Sequence, residues 1–303
     1  MIVRPRPGAF ELLFILRGSI VPVVAPRILL VFVVSAMIAL AHHVAPERFY
    51  DLGPTPFTLV GLALSIFLGF RNNACYERWW EGRKQWGQLI AEVRSFARDC
   101  LTVLPDDPVL HARVIRRVVG FAHVLRDQLR GTSTELARPW LPETEWPTVA
   151  QSRNQVDAVL LLQATELRRL LHDGALSDIL YRGLSDRLES MTTIQTACER
   201  LRATPTPFAY SLLLHRTAWL FCLFLPVGLV STVGLATPVA IAILAYAFFG
   251  LDALGEELEE PFSLSQNALP LDALVRSIEI AALQALGETA LPEPLRPERY
   301  ILR

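Results

Sequence analysis

The amino-acid sequence predicts an all-α membrane protein, with four transmembrane helices and a cytoplasmic helical bundle in each chain. Three observations predict it. Hydrophobic residues make up 52% of the 303 positions and the mean hydropathy is +0.34, an apolar share above that of an ordinary soluble domain. The excess is concentrated in four runs rather than spread along the chain. A long polar segment separates the second run from the third, and its apolar residues recur at helical spacing without β-branched alternation.

The spans are placed in order at 28–45, 56–80, 210–236 and 237–255, the second including a polar stem. A crossing takes about 20 residues. Only the third run, TAWLFCLFLPVGLVSTVGLA, reaches that length without its flanks, and Pro226 with Gly228 is expected to break it. The connectors give the orientation. Arg17 and Arg27 precede the first span, Arg71 and Arg78 follow the second, and Arg200, Arg202 and Arg216 precede the third. The loop HHVAPERFYDLGPT carries only Glu47, Arg48 and Asp51, and the turn between the last two spans carries no charge. Excess arginine and lysine stays in the cytoplasm. Both termini and residues 71–207 are therefore expected inside, and both short loops outside.

The cytoplasmic helical region, 81–207, shows three stripes. Val114, Val118, Phe121, Leu125 and Leu129 form the first, with Arg113, Arg116, Arg117 and Arg126 between them. Val156, Leu160, Gln163, Leu167 and Leu171 form the second; Leu176, Leu180, Leu184, Leu188, Met191 and Cys198 form the third. Pro105, Pro108, Pro139, Pro142 and Pro147 mark the breaks, and Pro205 and Pro207 the return to the membrane. The C-terminal segment, 256–303, adds an amphipathic helix in LPLDALVRSIEIAALQALGE. The whole chain, 1–303, reads as one unit without an internal repeat.

Several kinds of chemistry find no support. A net charge of -1 gives no footprint for nucleic acid. Cys75, Cys100, Cys198 and Cys222 form no C-x-x-C pair, so neither a disulfide scaffold nor a zinc site is expected. Phosphate-binding glycine loops and H-E-x-x-H are lacking, so no cofactor, metal or enzymatic activity is expected. His42 and His43 read as solvated loop residues. His215 and Arg216, at the start of the third span, read as interfacial anchors.

The stretch SIFLGFRNNACYERWWEGRKQWG, residues 65–87, leads from oil into a crowded polar surface without a proline. Gly61, Ser65 and Gly69 recur every four residues, a spacing that lets helix backbones approach closely in lipid. One position on, Leu62, Ile66 and Phe70 form a bulky apolar stripe. Trp79 and Trp80 suit the headgroup level, and Glu77 and Glu81 stand within helical reach of Lys84. From spacing alone two arrangements of the stripe stay open. It faces lipid, or several copies surround an axis and stack it into apolar rings that gate by dewetting. The second demands an oligomer, with cyclic symmetry.

SIFLGF, followed seven residues later by Arg78, Trp79 and Trp80, resembles the bestrophin signature. RNNACYERWWEGRKQWG is similar to the bacterial branch of that family, and EEPFSLSQNALPLDAL after the fourth span also matches. The resemblance covers nearly the whole chain. It implies a homopentameric ion channel in the bacterial inner membrane, assembled around a central pore and conducting small monovalent ions, with membrane lipid as its other partner. The matching neck positions are Leu62, Ile66 and Phe70, and the nearest match to a second, cytosolic aperture is Leu180 with Ile179. Animal members carry an acidic calcium clasp after the proline–phenylalanine. Here Ser263 to Ala268 hold no carboxylate, and Glu256, Glu257, Glu259 and Glu260 precede it instead, as a solvated face or helix-end charge. Calcium gating is therefore not expected, and the choice between chloride and cation conduction stays open. Against the channel stand a secondary transporter, which would want broken helices at the midplane, and a non-conducting scaffold.

Overall fold

The computed structural model describes residues 1–5, 8–12, 14–49 and 53–303. Asp51, one of the three charges in the first short loop, lies outside them. The helices are α1 (Ala9–Leu12), α2 (Val21–Val44), α3 (Thr55–Val103), α4 (Pro108–Arg130), α5 (Trp146–Gln151), α6 (Gln155–His172), α7 (Asp178–Ala203), α8 (Phe208–Val233), α9 (Thr237–Glu259) and α10 (Leu271–Ala285). Short 3-10 turns occupy Pro46–Arg48, Glu135–Trp140 and Gly234–Ala236. Among the described residues there is no strand, only the isolated bridges Ile2–Ile301 and Glu298–Ile301.

The chain divides into two compact units that interleave in sequence: Arg4–Trp79 with Pro205–Glu260, and Met1–Val3 with Trp80–Thr204 and Pro261–Arg303. The 49 residues of α3 belong to both.

The first unit holds the apolar runs. Three stretches are long and apolar enough to cross a membrane: Val21–Val44, Thr55–Val103, and Phe208–Glu259, the last comprising α8, its 3-10 turn and α9. Only 22%, 22% and 28% of their most apolar windows are buried inside the chain, so most of that surface needs lipid or another copy to cover it. What is buried is a shared core. Val24 and Val31 of α2, Leu64 and Leu68 of α3, Ala218 and Phe221 of α8, and Ile241 and Phe249 of α9 meet in one cluster.

The break expected at Pro226 and Gly228 does not occur, because α8 runs through both. Proline costs one backbone donor, and packed neighbours tolerate that within an apolar helix. Gly228 serves packing instead. A Cβ there would stand 2.2 Å from the Phe57 ring and 3.2 Å from the Gly53 carbonyl oxygen. The turn into α9 is made at Gly234, whose φ of 60° suits glycine.

The second unit is a helical assembly with deliberate ends. The Asp107 carboxylate caps α4 by accepting the Val109 and Leu110 amides, and Gly131 closes that helix at φ 68°. Asn154 caps α6 and Ser177 caps α7. The α4 stripe is buried throughout. In α6 the buried face ends at Leu170 rather than Leu171, and in α7 the core begins at Leu184, leaving Leu180 exposed in the first turn. Arg117 and Arg126 are not on the water side of α4. Arg117 is buried between Glu145, at 3.0 and 2.6 Å, and Gln163, at 2.9 Å, while Arg126 reaches Asp127 at 2.7 Å. The chain ends are tied together here: the Met1 amino group donates to the Leu302 carbonyl at 2.7 Å and the Ala273 amide to that of Arg303 at 2.8 Å. Both cysteines of α3 and α7 in this unit, Cys100 and Cys198, are buried and free, and burial pushes the Cys198 thiol up to about 12. A thiol held protonated is a poor nucleophile or metal ligand.

Candidate functional site

The site is built on α3. Its buried face runs through Leu64, Leu68, Arg71, Cys75, Gly82, Trp86, Leu89, Val93, Phe96 and Cys100. These steps of three and four, with one of seven from Cys75 to Gly82, keep the 3.6-residue phase of one helix. The opposite face is therefore also continuous. Leu62, Ile66, Phe70, Asn73, Glu77, Trp80, Lys84, Gln88 and Ala91 are all exposed, and at ~100° per residue they occupy a sector of about 80°. Leu62, Ile66 and Phe70 are 61%, 49% and 61% exposed. So the apolar stripe is a ridge turned away from this chain's own core.

The small residues beside it behave differently from one another. Gly61 sits under the Phe221 ring, where a Cβ would be 2.9 Å away. The Ser65 hydroxyl donates to the Gly61 carbonyl at 2.8 Å. Gly69 faces open space.

Behind the ridge lies a buried polar cluster, all within the first unit. Arg71 is 2% exposed and Asp252 1%. The Arg71 Nη1 donates to Asp252 Oδ1 at 2.7 Å, and Nη2 stands 3.6 Å from Glu259 Oε2. His215 Nδ1 lies 2.7 Å from Asp252 Oδ2, with Arg27 3.7 Å from the same oxygen. Gly255 packs beside this guanidinium, with its Cβ position in van der Waals contact at 3.4 Å from Arg71 Nη1. Glu259 also accepts the Thr206 amide at 2.8 Å and the Thr206 hydroxyl. Asn72 donates to the Leu68 and Leu251 carbonyls. Arg27, Arg71, His215 and Asp252 thus tie together α2, α3, α8 and α9.

Three expectations change accordingly. His215 is a partner of Asp252 rather than an interfacial anchor, while Arg216 remains exposed. Glu259 is engaged by Arg71 and Thr206 rather than lying on a solvated face; Glu256 and Glu260 are exposed. Glu81 takes Arg200, at 3.0 Å, rather than Lys84.

Of the membrane-interface candidates, Arg78 donates to the Glu259 carbonyl at 3.3 Å, Trp79 stacks on Tyr76 with centroids 6.3 Å apart, and Trp80 is exposed. The aperture candidates Ile179 and Leu180 lie in the first turn of α7, 84% and 40% exposed. They line a cavity of about 510 Å³ with Glu92, Asp99 and Arg187. Arg187 bridges the two acids at 3.3 and 3.1 Å.

Among the described residues one group, His215, Asp252 and Glu256, brings three potential metal-ligand atoms within 4.8 Å of one another. Both carboxylate oxygens of Asp252 already face guanidinium or imidazole. A cation there would compete with the His215–Asp252 contact and stand against the Arg27 and Arg71 charges, so the donor set does not suit a resident metal.

Sequence reasoning missed Asp252, the centre of this cluster. The signal was present: an acid directly after the apolar run AIAILAYAFFGL is costly in a membrane and is expected to have a partner.

The family model described as Bacterial/Fungal Bestrophin protein matches residues 1–284. A voltage-dependent anion channel-forming protein of Mesorhizobium japonicum is 47% identical over 306 residues, covering 99% of this chain and 96% of its own. The Escherichia coli voltage-dependent anion channel-forming protein YneE is 38% identical over 301 residues, covering 99% of both chains. Among solved structures, a bacterial bestrophin homologue from Klebsiella pneumoniae superposes with a TM-score of 0.85 at 36% identity, covering 88% of this chain and 99% of that one. With its three long apolar stretches, the chain is a membrane protein.

Proposed function

The chain belongs to the bacterial and fungal bestrophin family, and from that premise we propose that it is an ion channel rather than an enzyme. The observation that carries the proposal is the exposed ridge of Leu62, Ile66 and Phe70 on the face of α3 opposite its own core. In a homopentamer, copies of this ridge meet about the axis as stacked apolar rings, a neck that admits small monovalent ions and gates by wetting and dewetting. Anions are the first reading of the permeant ion, from the names of the related proteins. Ile179 and Leu180, also exposed, form the second constriction.

The topology follows the same logic. α8 and α9 count as separate crossings joined by the turn at Gly234, which gives four spans with α2 and the first half of α3. The 24 residues of α2 make about 36 Å of helix, enough for a hydrocarbon core of about 30 Å. Both termini and residues 80–204 fall in one compact unit, which favours one side of the membrane for all of them. The arginine bias makes that side the cytoplasm, with Arg78, Trp79 and Trp80 at the interface of the inner membrane and lipid against the remaining apolar faces.

The test is conductance. Replacing Leu62, Ile66 and Phe70 together with alanine removes the bulk of three rings. The purified variant, reconstituted in planar bilayers, is expected to conduct more than the parent. A variant that assembles normally and conducts like the parent would remove the neck.

A further inference from the structure

We infer that Glu77 sets the discrimination between cations and anions at the polar end of the neck, an assignment that rests on the neck reading of α3. The ridge does not stop at Phe70. Asn73 and Glu77 follow it at steps of three and four residues, and both are exposed. At ~100° per residue, Glu77 stands about 60° from Leu62 around the helix, within the sector that the apolar residues occupy. Whatever geometry brings copies of Phe70 to an axis brings copies of Glu77 towards it two turns on.

The neighbouring charges do not cancel it. Arg71 follows the neck directly and looks in sequence like an anion-attracting group. It lies about 180° from Leu62 around the helix, is buried, and is held by Asp252 at 2.7 Å and Glu259 at 3.6 Å. Arg78 points away from the ridge and donates to the Glu259 carbonyl. Glu81 is paired with Arg200 at 3.0 Å. Glu77 itself enters no ion pair among the described residues, and the next charge on the ridge is Lys84, about two turns further. The first charge that an ion meets after the apolar rings is therefore a carboxylate, repeated once per copy. Carboxylate rings concentrate cations and repel anions. The collar lowers the anion share of the current whichever ion dominates in the parent protein.

The experiment is the reversal potential of the purified, reconstituted full chain in asymmetric NaCl, for the parent, Glu77→Gln, Glu77→Lys and Glu77→Asp. Removing the charge is expected to raise the chloride-to-sodium permeability ratio by about threefold, the scale of several partly screened charges acting across water. Glu77→Lys should raise it further and Glu77→Asp should stay close to the parent. An unchanged ratio in Glu77→Gln, with the alanine neck variant showing altered conductance, overturns the role of Glu77 and leaves the neck standing. An alanine neck variant that conducts like the parent overturns the neck and the collar with it. Loss of the parental oligomer by mass in Glu77→Gln also overturns the collar, because the carboxylate is then a bond between copies rather than a free charge.

Discussion

Replacing Asp252 with asparagine keeps the shape of the buried cluster and removes its only negative charge next to Arg71 at hydrogen-bond distance. The parent contact is 2.7 Å between groups that are 2% and 1% exposed. Breaking a buried pair from one side costs about 3–5 kcal/mol, because the surviving charge is left without compensation. Here the loss falls at the lower end. Arg71 keeps the Asp252 backbone carbonyl at 3.3 Å and Glu259 at 3.6 Å, and the asparagine oxygen can still accept. About 3 kcal/mol is the expected cost, read as a lower melting temperature. Arg71→Met should cost at least as much, since Asp252 then retains His215 at 2.7 Å but only a distant Arg27 at 3.7 Å. The double variant Arg71→Met with Asp252→Leu removes both charges and should lose less than the sum of the two single losses. The assay is the fraction of detergent-solubilised protein that stays monodisperse after heating. Single variants that melt with the parent, or losses that add without coupling, would refute the claim that this pair holds the apolar helices together.

Gly228→Ala is expected to lower stability by about 1–3 kcal/mol through overpacking, because its new methyl would meet the Phe57 ring at 2.2 Å; Phe57→Leu in the same chain should recover part of the loss in the same heating assay. In the second unit, burial alone would raise the Glu279 carboxyl, but its hydrogen bond with His123 and the charges of His123 and Arg276 outweigh that and hold it below the usual range. Its stabilising contribution is therefore complete above the unfolded pKa of about 4.3 and is lost as pH falls through the folded value. Glu279→Gln should flatten the fall in thermal stability below about pH 4.5, measured against the parent across an acid series.

Much of α3 was legible because its information is local. Leu62, Ile66 and Phe70 repeat at a spacing that fixes one helical face, and that face is exposed in the structure. The α4 stripe was legible for the same reason. Spacing does not say which partner lies across the fold. Arg71 and Asp252 are 181 residues apart, so a rule built on three- and four-residue intervals reads Arg71 as an orientation signal and passes over Asp252. The same limit hides Arg117. Glu145 and Gln163 arrive from other elements, at no interval that the α4 stripe reveals, and their hydrogen bonds offset the cost of burying the guanidinium. Leu180 failed in the opposite direction. It keeps the four-residue interval of a core stripe but falls in the first turn of α7, beside the Ser177 cap, before that helix meets its neighbours. Interval alone cannot tell a core position from an exposed one at a helix end.

The polar crowd after Phe70 is explained by how one unbroken helix distributes it. Arg71 and Asn72 turn inward or sideways to Asp252, Glu259, Leu68 and Leu251. Asn73 and Glu77 continue the ridge. Because the buried phase holds from Leu64 to Cys100, neither set can exchange places without rotating every later residue of α3 off its core. The strong positive charge nearest the apolar stripe is thereby spent on binding α9, and a free carboxylate takes the face that copies of the chain would share. Ion preference on the proposed pore is then decided less by which charges follow Phe70 in sequence than by the side of α3 on which each one falls.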